Sequence, residues 1–163
     1  MDEIRVLFES TGWLAVDKRS GELVVPGRRE DPADCVWRRL ERARDERLWV
    51  VHRIDRDTSG VLVFARDAGA HRQWSMAFER GTVEKTYLAF TRGIPALSDI
   101  ESPLIDGRGL VRIADPKEPG AKPSRTKVEL VRAWGEIALL RCRPQTGRQH
   151  QIRVHLAAVG API

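Results

Sequence analysis

The 163 residues, 42% hydrophobic and 31% charged, suit one compact domain and are too apolar for a disordered chain. Against 23 Asp and Glu stand 28 Lys and Arg, nearly all Arg, for a net charge of +5. That balance is compatible with a nucleic-acid partner and equally with plain solubility. No apolar run approaches the roughly 18 residues of a membrane span, and the opening ten residues carry acids rather than a signal-peptide core. Cys35 and Cys142 are far apart and form no CxxC pair. Reduced thiols and a cytoplasmic location are expected.

In chain order, Ile4 to Phe8 and Trp13 to Val16 read as strands joined by a turn at Ser10, Thr11 and Gly12. Residues 21–29 read as loop, with Pro26 and Gly27 as breakers. Asp31 then Pro32 reads as a helix start, and Val36, Leu40 and Ala43 carry one helix on to Arg44. Val61 to Ala65 is a short apolar run, expected as a buried strand. Asp67 caps a second helix with Ala70, Trp74, Ala77 and Phe78 on one face and Gly81 just past its end. Thr82 to Phe90 is expected as a strand, with Val83, Lys85, Tyr87 and Ala89 sharing a face. Residues 93–123 are rich in Gly and Pro and should be loop with short strands. Arg125 to Val131 and Ile137 to Arg143 should pair across Trp134-Gly135, and Gln149 to Val159 should form the last helix. Adjacent hairpins with irregularly interspersed helices predict an α+β fold, with a mixed, mostly antiparallel sheet flanked by helices.

Two segments carry more polar chemistry than folding requires. Residues 51–60 gather His52, Arg53, Asp55, Arg56, Asp57, Thr58 and Ser59 directly before a strand. A solvated loop capped by Asp57 or Thr58 accounts for them, and so does a reactive carboxylate. Residues 141–155 hold four Arg and two His with no acid, and run from a strand end through Gly147 into a helix start. Such a segment favours an anion, or is a basic helix face in water. An Arg from the second segment beside Asp55 would keep that carboxylate ionised and fit for work as a nucleophile or base. A metal site is not supported. His150 and His155 are five apart, no HExxH is present, and no His or Cys cluster joins His52 and Asp55. Nucleotide-cofactor fingerprints are also missing.

Taken together, these segments resemble the RluA family of pseudouridine synthases. His52-Arg53-Ile54-Asp55 with Thr58-Ser59-Gly60, then Lys85-Thr86-Tyr87-Leu88-Ala89, then residues 146–155 (TGRQHQIRVH) match three family motifs in order. Residues 16–21 (VDKRSG) and 25–28 (VPGR) resemble the family's opening, with Arg19 where a Pro is usual and Ala161 where a His is usual. The resemblance implies a single catalytic domain over 1–163 with the pseudouridine synthase fold. It also implies that the family's C-terminal portion is not included and that no S4-type domain precedes it. It implies isomerisation of uridine in rRNA or tRNA by a monomer, with no cofactor, metal or membrane. Asp55 would be the nucleophile, attacking sugar or base, after which uracil detaches, turns and rejoins the ribose through carbon 5. Tyr87 would stack on the uracil and serve in late proton removal. Arg153 would pair with Asp55, and Ile152 would line the base pocket. Arg53 would fill the space of a flipped-out base, with His52 and Thr58 beside the substrate, and Arg148, Arg28 and Arg56 would hold phosphates. Two other classes stand beside this one: an RNA-binding protein without catalysis, and a metal-dependent phosphodiesterase built on His52, Asp55 and Asp57.

Overall fold

A computed structural model describes residues 3–27, 31–107 and 110–163. The chain forms two compact units, Met1–Thr82 and Val83–Ile163. Every strand pairing among the described residues is antiparallel, and three α-helices complete the α+β architecture.

In the first unit, β1 (Arg5–Glu9) and β2 (Trp13–Lys18) form the expected hairpin, with a bulge between Val6 and Phe8. Ser10 closes its turn, donating from both its amide and its hydroxyl to the Trp13 carbonyl. β2 also pairs with β4 (Gly60–Ala65), whose far edge takes the two-residue strand β3 (Trp49–Val50), giving the order β1-β2-β4-β3. Leu14 and Val16 of β2 and Leu62 and Phe64 of β4 point to one face, as their spacing of two requires. There they pack with Val36 and Leu40 of α1 (Val36–Arg44) and with Val24 and Leu48. Each such fully buried side chain contributes roughly 1.5–3 kcal/mol. The alternate residues Val63 and Ala65 are buried too, so β4 is covered on both faces from Leu62 onward, whereas Val61, expected in the same buried run, is exposed. α2 (Ala68–Glu79) begins where expected: the Asp67 carboxylate accepts the Ala70 amide at 2.8 Å. Gly81, at φ +69°, follows its end. Trp74 of α2 meets Trp13 edge-on.

The single helix expected from Asp31 to Arg44 is two elements. Asp31 caps a short 3-10 turn, Pro32–Asp34, and α1 starts afresh at Val36. Cys35 between them is extended (ψ 156°), because the first amides of α1 are taken by the preceding loop: Val36 donates to the Leu23 carbonyl and Trp37 to that of Val24.

In the second unit, β5 (Tyr87–Arg92), β10 (Ile137–Pro144), β9 (Arg125–Trp134) and β6 (Asp99–Glu101) form a sheet in the order β5-β10-β9-β6. β7 (Leu104–Gly107) and β8 (Leu110–Ile113) form a separate hairpin. The predicted β9–β10 pairing is present and longer than expected, turning at Gly135 (φ +57°). Ala89, Val128, Ala138, Leu140 and Cys142 face Leu156 of α3 (Gln151–Ala158), with Ile100 completing this core.

Two boundaries differ from expectation. β5 begins at Tyr87 rather than Thr82, so Val83 and Lys85 are not strand residues. Its last rung joins Tyr87 to Cys142. Two residues further along β10 stands Pro144, which has no amide to donate to a longer β5. α3 begins at Gln151 rather than Gln149, because His150 is in the left-handed region (φ +51°), which a helix cannot contain.

Candidate active site

The segment from His52 to Ser59 crosses from β3 to β4, and its shape is set by buried bonds beneath it. Lys18 is fully buried, yet its ammonium donates all three protons, to the carbonyls of Arg19 (2.8 Å), Glu22 (2.7 Å) and Arg56 (2.7 Å). Burial pulls its pKa down, against the opposing fields of Glu22, Asp57 and Asp55. Around it, the Gly21 amide and the Arg56 carbonyl bond at 2.9 Å, Arg56 Nε returns a bond to the Gly21 carbonyl, and the Ser20 hydroxyl donates to the Asp57 carbonyl. Gly21 has φ +87°, open to glycine at no steric cost. Residues 18–22 therefore clamp the main chain immediately after Asp55.

On the near side, His52 Nε2 accepts the Val63 amide at 3.0 Å, and its ring stacks on Phe78 of α2 at 4.5 Å. That bond places the imidazole proton on Nδ1. Ile54 packs on the core cluster of this unit. Held between His52, Ile54 and Arg56, Asp55 is half-buried, and its carbonyl accepts the Thr58 amide at 3.1 Å. Thr58 thus closes a turn through its main-chain amide. Arg53 is exposed. Arg56, expected on phosphate, spends Nε on Gly21; Arg28 lies outside the described residues. Among the described residues no three His, Cys, Asp or Glu side chains gather as a metal site.

The second unit holds the other expected residues. Tyr87, half-buried at the start of β5, and Ile152 of α3 pack against the same apolar cluster. Ile152, expected to line the base pocket, is partly buried against this core. Arg153 follows it on α3 and is exposed. Arg148 is exposed in the preceding loop, with Nε donating to the Pro123 carbonyl at 3.2 Å. Lys85 reaches the same loop, 3.4 Å from the Thr146 carbonyl, and desolvation lowers its pKa. Cys142 is buried among apolar neighbours, which pushes its thiol up to about 11 and leaves it unreactive.

Residues 12–158 match the RNA pseudouridylate synthase family. This chain belongs to that family. The dual-specificity RNA pseudouridine synthase RluA of Vibrio vulnificus is 39% identical over 97% of this chain and 66% of its own length. The protein of that name from Escherichia coli strain K12 is 36% identical over 97% of this chain and 73% of its own. Ribosomal large subunit pseudouridine synthase C of Vibrio cholerae is 34% identical, with 97% and 50% covered. The chain thus spans between half and three quarters of these synthases. The solved structure of human RNA pseudouridylate synthase domain containing 4 superposes with a TM-score of 0.80 at 24% identity, covering 98% of this chain and 66% of that one, and shares the fold.

Lys18 stands in the opening motif, residues 16–21, and the motif match gives it no role. The signal was available: Leu14, Val16 and Lys18 alternate on the buried face of β2, so period two alone places Lys18 inward.

Proposed function

We propose that this pseudouridine synthase family member isomerises uridine to pseudouridine in structured RNA, with Asp55 as nucleophile. The reaction breaks the bond from the ribose to uracil nitrogen 1 and makes one to carbon 5. The carbon 5 proton leaves to solvent, and nitrogen 1 gains a proton. No atom is added and no electron transferred, so aspartate chemistry with proton transfer suffices.

The observation that carries this reading is the tethering of the Asp55 segment. A carboxylate on a loop pinned by Lys18 on one side and His52 on the other is held in place before substrate arrives, and such positioning lowers the barrier by removing an entropy cost from the reactive step. Tyr87 is assigned to stacking on uracil and to the late removal of the carbon 5 proton, Ile152 to the apolar wall, and Arg153 to supplying positive charge for the reaction. Arg53 is assigned to the space of the flipped base, whose extrusion costs a few kcal/mol that stacking and guanidinium contacts offset. Arg148 is assigned to phosphate. The name of the Vibrio vulnificus relative, a dual-specificity RNA pseudouridine synthase, supports RNA as substrate for this chain.

The test uses transcripts of tRNA and rRNA labelled with tritium at uridine carbon 5. Release of label with formation of pseudouridine, unchanged by EDTA, is expected. RNA binding without release would leave an RNA-binding protein, and chelator-sensitive strand cleavage would indicate a phosphodiesterase.

A further inference from the structure

Beneath the Arg148 loop, four side chains of the second unit form a buried polar chain whose direction is fixed. Gln151, the first residue of α3, is 4% exposed and uses its whole amide. Its oxygen accepts the Thr146 hydroxyl at 2.7 Å and the Arg148 main-chain amide at 3.0 Å. Its nitrogen donates to the Arg125 carbonyl at 3.0 Å and the Thr126 hydroxyl at 2.9 Å. The Arg125 amide donates to the Thr146 hydroxyl oxygen, which leaves that hydroxyl's proton for Gln151. Having accepted from Gln151, the Thr126 hydroxyl has its proton to give to His155 Nδ1, 2.9 Å away. The proton of His155 is then on Nε2, 3.0 Å from the Ser102 carbonyl, where the Ser124 hydroxyl also donates. Thr126 and His155 are fully buried. Turning the Gln151 amide over would set its NH2 against the Arg148 amide, and moving the His155 proton to Nδ1 would leave Nε2, which also lies 3.1 Å from the Ser124 hydroxyl, facing the Ser102 carbonyl acceptor to acceptor.

We propose that Gln151, Thr126 and His155 are positioning residues for RNA binding: the chain holds the main chain of Arg148 against β9 and the start of α3, so that its guanidinium is presented to a phosphate. The inference rests on the assignment of Arg148 to RNA. The loop itself has few apolar anchors: Thr146 is half-buried, and Gly147 to Gln149 are exposed. Without the Gln151 bonds, residues 146–149 sample many conformations, and ordering them again would be charged against binding.

Thr126→Val removes the hydroxyl at constant shape, and Thr126→Ser keeps it. Hydrogen exchange in the full chain should show a protected Arg148 amide in the wild type and in Thr126→Ser, and faster exchange in Thr126→Val. The loss of one or two buried bonds predicts Thr126→Val binding a uridine-containing RNA stem-loop about tenfold more weakly, with Thr126→Ser restoring affinity. Binding is referred to the folded fraction, measured by circular dichroism in each variant. Nitrogen NMR should find His155 neutral and protonated on Nε2. Equal affinity in Thr126→Val and wild type, a His155 proton on Nδ1, or no RNA binding by the wild type would each overturn the proposal. RNA bound with this pattern but never isomerised would leave it standing and remove the proposed activity instead.

Discussion

At the scale of single residues, the candidate site depends on two buried groups that make no claim on substrate. Lys18 satisfies three carbonyls from two loops, and truncating it leaves three acceptors of part-buried bonds without their donor. Lys18→Met should cost about 3 kcal/mol of stability, read as a lower urea midpoint, with faster exchange of the Arg56 to Thr58 amides. An unchanged midpoint would mean that the clamp is incidental. His155 gives a pH signature. Burial lowers its pKa below the ordinary value of 6.5, so the unfolded chain takes up its proton first as pH falls. The imidazole's contribution to stability is therefore complete above about pH 6.5 and declines below it, down to the folded-state value. An NMR titration midpoint for His155 at or above 6.5 would contradict this sign. Both residues stood in recognisable motifs, but their roles were legible only in part. Period two on β2 shows that Lys18 points inward, whereas nothing in the sequence shows that Thr126 lies beside Gln151, twenty-five residues away.

At the scale of elements, the sequence is clearest where a local chemical cause acts alone. The β1–β2 hairpin, the capped start of α2 and the β9–β10 pairing follow from turn residues, a capping aspartate and alternation, and all three are present. Asp67→Ala should cost about 1 kcal/mol through loss of the Ala70 cap, a shift measurable in urea denaturation. No shift would show that tertiary packing alone fixes that end of α2. Boundaries failed where a distant group decides. The Asp31-Pro32 start signal and the spacing from Val36 predict one helix, but the Leu23 and Val24 carbonyls compete for the amides of Val36 and Trp37. Alternation ran from Val83 to Ala89, yet Pro144 on the neighbouring strand denies β5 its first rungs. β3 is only two residues long, too short for any periodicity to show.

At the scale of the whole molecule, each unit has its own apolar core, and the residues assigned to chemistry are divided between them. The first carries His52, Arg53, Asp55 and Thr58 on a clamped loop; the second carries Tyr87, Arg148, Ile152 and Arg153 at the start of β5 and around the start of α3. The three ordered motifs are legible in the sequence because each is local, whereas their division between two units is not: the sequence predicts a single domain over 1–163. Some of the bonds that hold the motifs in shape are local, but those from Lys18 to Arg56 and from Gln151 to Thr126 span distant residues and are seen only in the fold. The central claim is that the Asp55 carboxylate performs the chemistry while the remaining surface binds RNA. Asp55→Asn is nearly isosteric and removes the nucleophile alone, so the decisive measurement is pseudouridine formation by this variant beside the wild type on the same transcript. RNA affinity within about twofold of wild type and no pseudouridine are expected; product formed at the wild-type rate would contradict a catalytic Asp55.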